Sequence, residues 1–153
     1  MRITPVKENK KRYLPLLLLA DEQENMIDRY LEQSEMYVLE EDGRALASLV
    51  VCDEGAGVLE IKNLAVLPEV QKRGYGRMMI DYAADRYRAR YHTLLVGTGD
   101  SPLTLPFYER CGFVRSHVVK DFFTDHYDHP IIEDGVLLRD MVCLKRVLNH
   151  SRE

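Results

Sequence analysis

Glu60-Ile-Lys-Asn-Leu-Ala-Val66, then Leu67-Pro-Glu-Val70, then Gln71-Lys-Arg-Gly74-Tyr-Gly76, is the stretch whose reading decides the fold. It opens as a largely aliphatic run and closes as a glycine loop. From Gly74 onward apolar residues recur at helical spacing, with Met79, Ile80, Ala83 and Tyr87 on one face. Strand, glycine loop and helix in succession make an anion-site layout, because the first N–H groups of a helix lack partners and its dipole is positive there. Gly74 and Gly76 let a ligand approach the backbone, and Lys72 and Arg73 add charge. A tight turn with solvated basic residues is the plain alternative. Two other phosphate motifs fail. No Gly-Lys pair exists for a P-loop, and neither Gly55-Ala56-Gly57 nor Gly97-Thr98-Gly99 has the third glycine of a dinucleotide fingerprint.

Working outward, residues 37–41, 44–53 and 58–67 read as strands. Asp42-Gly43 and Gly55-Ala56-Gly57 separate them, and these are hairpin signals that make the three antiparallel. Before them lie an extended start, residues 2–6, and two helices over 8–20 and 22–32. After the glycine loop, the helix ends near Tyr91. A strand over 92–97, a helix over 102–110 closed by Gly112, and strands over 113–122 and 136–145 follow. Strand, helix, strand at the centre implies a right-handed parallel crossover, so the sheet is mixed and the class is α/β or α+β. No repeat, low-complexity tract or linker divides the chain, and residues 1–153 read as a single domain.

Composition narrows the function classes. With 153 residues, 46% hydrophobic and 30% charged, the chain is an ordinary globular one. Its longest apolar run, residues 13–20, is far short of the about 20 residues of a membrane span. The charged first residues form no secretory signal, so a cytoplasmic protein with no membrane partner is expected. Three cysteines without C-x-x-C spacing indicate neither a disulfide framework nor a zinc ribbon. A formal net charge of −4 argues against nucleic acid and mildly for a cationic or neutral partner.

Gln71-x-x-Gly74-x-Gly76 after a Leu64-Ala-Val-x-Pro68 strand end, followed by Phe107-Tyr-Glu-Arg-Cys-Gly-Phe113 on a short helix, resembles the GNAT superfamily of acyl-CoA-dependent N-acetyltransferases. The resemblance is strongest over residues 58–113. It implies a mixed sheet splayed at its centre, between the strand ending near Val66 and that at 92–97, with flanking helices. It also implies acetyl-CoA as acyl donor and no metal. The pantetheine arm would lie along Leu64, Ala65 and Val66, with the Val66 N–H as oxyanion donor. The pyrophosphate would lie on the N–H groups of Gln71, Lys72, Arg73, Gly74, Tyr75, Gly76 and Arg77. Many members carry an asparagine near the start of the later short helix. Here Gly99-Asp100-Ser101-Pro102 stands instead, and Ser101 reads as a helix N-cap bordering the CoA arm.

Acyl transfer to an amine needs a neutral nucleophile, a stabilised oxyanion and a protonated leaving thiolate. Less than about one alkylamine in a thousand is free base at pH 7. Glu60, eleven residues before Gln71, matches the position of a catalytic glutamate in some members; a solvated strand carboxylate is the alternative. Tyr108 matches the family's tyrosine that protonates the thiolate; a packed core tyrosine is the alternative. The run Asp121-Phe-Phe-Thr-Asp-His-Tyr-Asp-His129-Pro130 matches a loop bordering the acceptor. It offers a second candidate base, although a plain polar loop is the simpler reading and a metal site from its His and Asp residues the less favoured one. Asp21, Glu22 and Glu24 face the same region or form a solvated helix start. Gly99-Asp-Ser-Pro-Leu103 is superficially like a serine-esterase nucleophile block but has no D-x-x-H partner downstream. The expected activity is transfer of an acetyl group to a primary amine, a small molecule or a peptide, in a ternary complex. A non-catalytic acyl-CoA sensor of the same fold is the alternative, and exposed sheet edges allow a homodimer.

Overall fold

The computed structural model describes residues 1–149. Strands β1 (Arg2–Val6), β2 (Glu35–Glu41), β3 (Arg44–Gly55), β4 (Val58–Val66), β5 (Thr93–Gly99), β6 (Val114–Val119) and β9 (Met141–Val147) form one sheet in the order β1-β2-β3-β4-β5-β9-β6. Every pairing is antiparallel except that of β4 with β5. Helices α1 (Leu14–Ala20) and α2 (Glu24–Ile27) cover one face. Helices α3 (Tyr75–Tyr87) and α4 (Leu105–Arg110) cover the other, and a short α5 (Phe122–His126) precedes a two-stranded hairpin, β7 (Ile132–Glu133) and β8 (Val136–Leu137). This is the mixed sheet flanked by helices that the sequence implies.

Two core clusters follow from the period-two alternation of the strands. Leu49, Val51, Leu59, Ile61 and Val96 pack against Met79, Ile80, Ala83 and Tyr87 of α3. On the opposite face Val6, Met36, Val38 and Val50 pack against Leu17, Ile27 and Leu31. The hairpin turns are where the chain needs left-handed backbone: Asp42 and Gly43 at φ 53° and 78°, then Gly55, Ala56 and Gly57 at 85°, 55° and 80°. The second turn is locked from outside. His92 Nε2 lies 2.9 Å from the Ala56 carbonyl, and its ring lies so close that a Cβ on Gly57 would meet it at 2.5 Å. The lock sets Val58 opposite Thr93 and so starts the parallel pairing.

Several boundaries differ from the sequence reading. The first helix divides into a 3-10 turn and α1 because Pro15 fits only a helix's first turn. The second, expected over 22–32, is helical only at Glu24–Ile27; beyond it the N–H groups of Arg29 and Tyr30 bond three residues back rather than four. The carbonyls freed there are taken by a buried side chain, since Lys10 Nζ donates to Leu31, Glu32 and Ser34. Helix α4 begins at Leu105, not 102, and β6 ends at Val119, not 122. Residues 136–145 do not form one strand: Asp134 and Gly135, both at positive φ, close the β7–β8 hairpin, and the long strand starts at Met141.

Replacing Lys10 with methionine keeps the packed stem but orphans these carbonyls. We expect it to cost about 1–3 kcal/mol in urea denaturation. An unchanged midpoint would show that water replaces the ammonium there.

Candidate active site

A β-bulge defines the site. Along β3 and β4, Val50 faces Asn63 while Val51 faces Ile61, so Lys62 is an extra residue on β4. Pairing with β5 ends at the same point. Val58–Ile61 pair with Thr93–Val96, but residues 62–66 have no partner on the β5 side although β3 still holds Asn63, Leu64, Ala65 and Val66. Beyond Val96, Gly97–Gly99 pair only with β9. A wedge thus opens in the middle of the sheet, walled by a strand edge whose N–H and C=O groups are free. An extended chain carrying amides can complete such an edge as an added strand.

The glycine loop lies at the mouth of this wedge. Gln71 Nε2 donates to the Val66 carbonyl at 3.3 Å, tying loop to strand end. The first bond of α3 is Met78 N–H to the Gly74 carbonyl, and the N–H groups of residues 72–77 have no acceptor among the described residues. Lys72 at φ 65° and Gly74 at φ 86° are left-handed, which turns successive N–H groups to one side as an anion nest. Lys72 and Arg73 are exposed and without ion-pair partners among the described residues. Arg77 is engaged elsewhere, donating to the Arg110 carbonyl at 3.0 Å. Gly76 sits where α3, α4 and β4 converge: a Cβ there would meet Phe107 at 3.0 Å and Val66 at 3.7 Å. These residues fit a pyrophosphate linked to an extended amide-bearing arm.

Tyr108 and Glu60 approach the wedge from opposite faces. Tyr108, on α4, is 9% exposed, with its ring edge-on to Phe107 and Phe113. Its hydroxyl has no hydrogen-bond partner among the described residues and is not completely enclosed. Burial, with Cys111 and Glu133 adding to it, pushes the phenol well above its ordinary pKa. Glu60 lies across from Cys52 on the face opposite α3. It is half-buried, and its Oε1 accepts from Lys62 Nζ at 3.1 Å. Burial raises its pKa; Lys62 opposes this and the neighbouring Glu54 reinforces it. The bulge puts Asn63 on the same face as Glu60, which strict alternation would have forbidden.

Ser101 is 1% exposed, and its Oγ accepts the Leu103 N–H at 3.1 Å. Ser101 is not the helix N-cap expected from the sequence: the helix starts three residues later than position 102, its N-cap is Thr104, and the Ser101 hydroxyl caps the turn that precedes it. The segment 121–130 is partly helical as α5 and is tied to the α1–α2 connection. Tyr127 donates to Asp21 at 2.7 Å, the Asp128 N–H to Gln23 at 3.0 Å, and His129 Nε2 lies 2.9 Å from Glu22. Asp128 first, and Glu22 second, pull the His129 pKa up, which keeps the imidazole protonated to higher pH and leaves less of it in the free-base form that could accept a proton. Among the described residues no three His, Cys, Asp or Glu side chains are grouped to hold a metal, and no helix is long and apolar enough to cross a membrane. Sequence reading missed Asn63, Tyr30 and Glu133. Asn63 carried a signal, the lone amide side chain on β4, where apolar residues would otherwise follow Lys62.

A splayed mixed sheet whose free strand edge runs into a helix-terminal N–H nest is the architecture of an acyl-CoA-dependent transferase. Residues 32–115 match the family model of the acetyltransferase (GNAT) domain, and the chain belongs to that family. It is 34% identical over 146 residues to the uncharacterized N-acetyltransferase YvbK of Bacillus subtilis (strain 168), covering 94% of each chain. A GNAT family acetyltransferase from Elizabethkingia anophelis, solved with acetyl-CoA bound, superposes with a TM-score of 0.91 at 32% identity, over 96% of this chain and 97% of that one. A Bacillus subtilis acetyltransferase in complex with CoA gives 0.88 at 34% identity, over 97% and 99%.

Gly74→Ala tests the loop geometry. No atom lies within 4 Å of the added Cβ, so any cost is that of the left-handed backbone. We expect a loss of about 1–2 kcal/mol in denaturant unfolding; wild-type stability would mean that the loop relaxes out of the nest.

Proposed function

We propose that the protein is an acetyl-CoA-dependent N-acetyltransferase acting on a primary amine, by direct attack in a ternary complex, within a single domain. The wedge beside β4 carries this reading, because a free strand edge beside an N–H nest serves a pantetheine pyrophosphate and little else. The arm lies along Leu64, Ala65 and Val66, and the pyrophosphate lies on residues 71–77, with Lys72 and Arg73 supplying charge. The amine lone pair attacks the thioester carbonyl, whose π electrons move onto oxygen and meet the Val66 N–H. Glu60, directly or through water, takes the proton the amine loses. The intermediate collapses, the C–S bond breaks with its electron pair on sulfur, and Tyr108 supplies the proton. Burial keeps the phenol protonated, and with no hydrogen-bond partner among the described residues it can bond the developing thiolate before its proton moves. A cytoplasmic site suits the three free cysteines.

Free-thiol release from acetyl-CoA across an amine panel tests the activity; turnover with none of the amines would favour a non-catalytic acyl-CoA sensor. Tyr108→Phe keeps the ring, so we expect unchanged thermal stability and CoA affinity with a fall of about 100-fold in kcat. A stability loss at preserved kcat would make the hydroxyl structural.

Glu60→Gln tests the base. A raised folded pKa means that the carboxyl is protonated, and useless as a base, up to a pH above the ordinary carboxylate range. Wild-type kcat should therefore decline as pH falls through that raised value. The glutamine variant should lack this limb, be slower at neutral pH, and recover in part at high pH as the amine loses its own proton. A small, pH-independent loss would demote Glu60 to a strand carboxylate.

A further inference from the structure

On the Glu60 face of the wedge, four side chains from four segments form one hydrogen-bonded chain. Asp21, at the end of α1, accepts from Tyr127 at Oδ1 (2.7 Å) and from Tyr30 at Oδ2 (3.1 Å). The Tyr30 oxygen in turn accepts from Asn63 Nδ2 at 3.2 Å, and the same nitrogen donates to the Leu17 carbonyl at 3.0 Å. Asn63 stands on the part of β4 that has lost its β5 partner. It is 3% exposed, and its Oδ1 is enclosed with no hydrogen-bond partner. An orphaned amide oxygen in a fixed amide plane marks a place where a donor is missing.

Charge points the same way. Asp21 is half-buried, and no Lys, Arg or His among the described residues lies within ion-pair distance of it. Glu133, on the hairpin that follows the Tyr127 segment, is likewise half-buried without a cation, and Glu22 lies close enough to raise its pKa further. Burial raises the Asp21 pKa too; hydrogen bonds from Tyr127, Tyr30 and the Gln23 backbone oppose this, and Glu22 adds to the rise. Aromatic residues flank this carboxylate: Tyr30 and Tyr127 reach it through their hydroxyls, and Phe123 stacks on Tyr127 at 5.7 Å. A carboxylate beside aromatic rings suits an organic ammonium, which gains the ion pair and apolar contact for its carbon chain.

Resting on the acetyltransferase reading, we infer that Asp21 is the recognition site for a second, non-reacting cationic group on the acceptor, so that the substrate is a dicationic amine. The reacting nitrogen itself is the wrong occupant. A carboxylate contact stabilises ammonium over amine, which opposes the deprotonation that attack requires. Separating the two nitrogens resolves the conflict: the distal cation stays charged at Asp21, and the reacting nitrogen lies at Glu60 on the same face. Asn63 and Tyr30 are positioning residues that fix the carboxylate relative to the thioester slot.

The test uses α,ω-diaminoalkanes of graded length, the matching 1-aminoalkanes and the matching ω-amino acids, by thiol release with the full chain. In wild type, the best diamine should exceed its monoamine about tenfold or more in kcat/KM, through KM, with the amino acid poorer than both. Asp21→Asn should raise the diamine KM to the monoamine level, removing the preference for the second cation. Asp21→Glu should restore part of the preference. A wild-type panel indifferent to the distal charge, or an Asp21→Asn loss equal for all amines, overturns the inference while leaving acetyl transfer intact. Should no amine turn over, acetyl transfer fails instead. Calorimetry of the diamines on the CoA-loaded protein then decides: Asp21-dependent binding upholds the cation site, and its absence overturns it.

Discussion

Loss of one strand pairing at one residue governs this molecule. Beyond Ile61 the β4 strand pairs with β3 alone, and the groups left open on its other edge, apart from the Val66 carbonyl that Gln71 takes, are the binding surface of the proposed reading. Unpaired backbone within a sheet is costly, so the opening must be held from both ends. At the closed end, His92 clamps the β3–β4 turn and fixes the register of β5. At the open end, Gly76, Val66 and Phe107 pack so closely that a Cβ at Gly76 would press on the Phe107 ring at 3.0 Å, which keeps the start of α3 against the strand end. Met141 and Leu138 lie across Gly97 and Gly99, filling the places where β5 side chains would stand. The wedge is thus a consequence of packing on either side of it.

The single extra residue, Lys62, does more than bend the strand. Without it, Glu60 and Asn63 would fall on opposite faces, and no carboxylate would stand beside the amide network that reaches Asp21. Lys62 also supplies the cation that opposes the rise in the Glu60 pKa. One inserted residue therefore ends the pairing, re-aims a side chain and tunes a carboxyl group.

Local chemistry decided what was legible in the sequence. The Asp42-Gly43 and Gly55-Ala56-Gly57 turns need left-handed backbone, and the α3 stripe needs a partner face, so strands, hairpins and the central helix could be read directly. The nest at residues 72–77 was readable because glycines at a helix start have few other uses. The bulge was not, since register depends on the facing strand and no residue of β4 announces it. Asp134-Gly135 carries the same turn signal as Asp42-Gly43 but joins strands of two residues each, too short to show alternation. The shortened second helix depends on Lys10, a residue more than twenty positions from the carbonyls it holds. Roles at the site came from the family resemblance; the network on Asn63 came only from coordinates.

The formal charge of −4 conceals a division of sign that matters more than its sum. Among the described residues, Lys72 and Arg73 stand unpaired at the mouth where the nest opens, while Asp21 and Glu133 stand without cations near the segment 121–130. On the proposed reading, an anionic donor and a cationic acceptor are each attracted to one end and repelled from the other. No described side chain neutralises either field, so in that reading each substrate supplies the counter-charge that its end lacks. The two then meet only at the wedge, where a neutral thioester faces a nitrogen that must become neutral to react. Opposite charge at the two entrances, with a largely apolar strand between them, keeps electrostatic attraction away from the reacting nitrogen, where it would hold the proton in place.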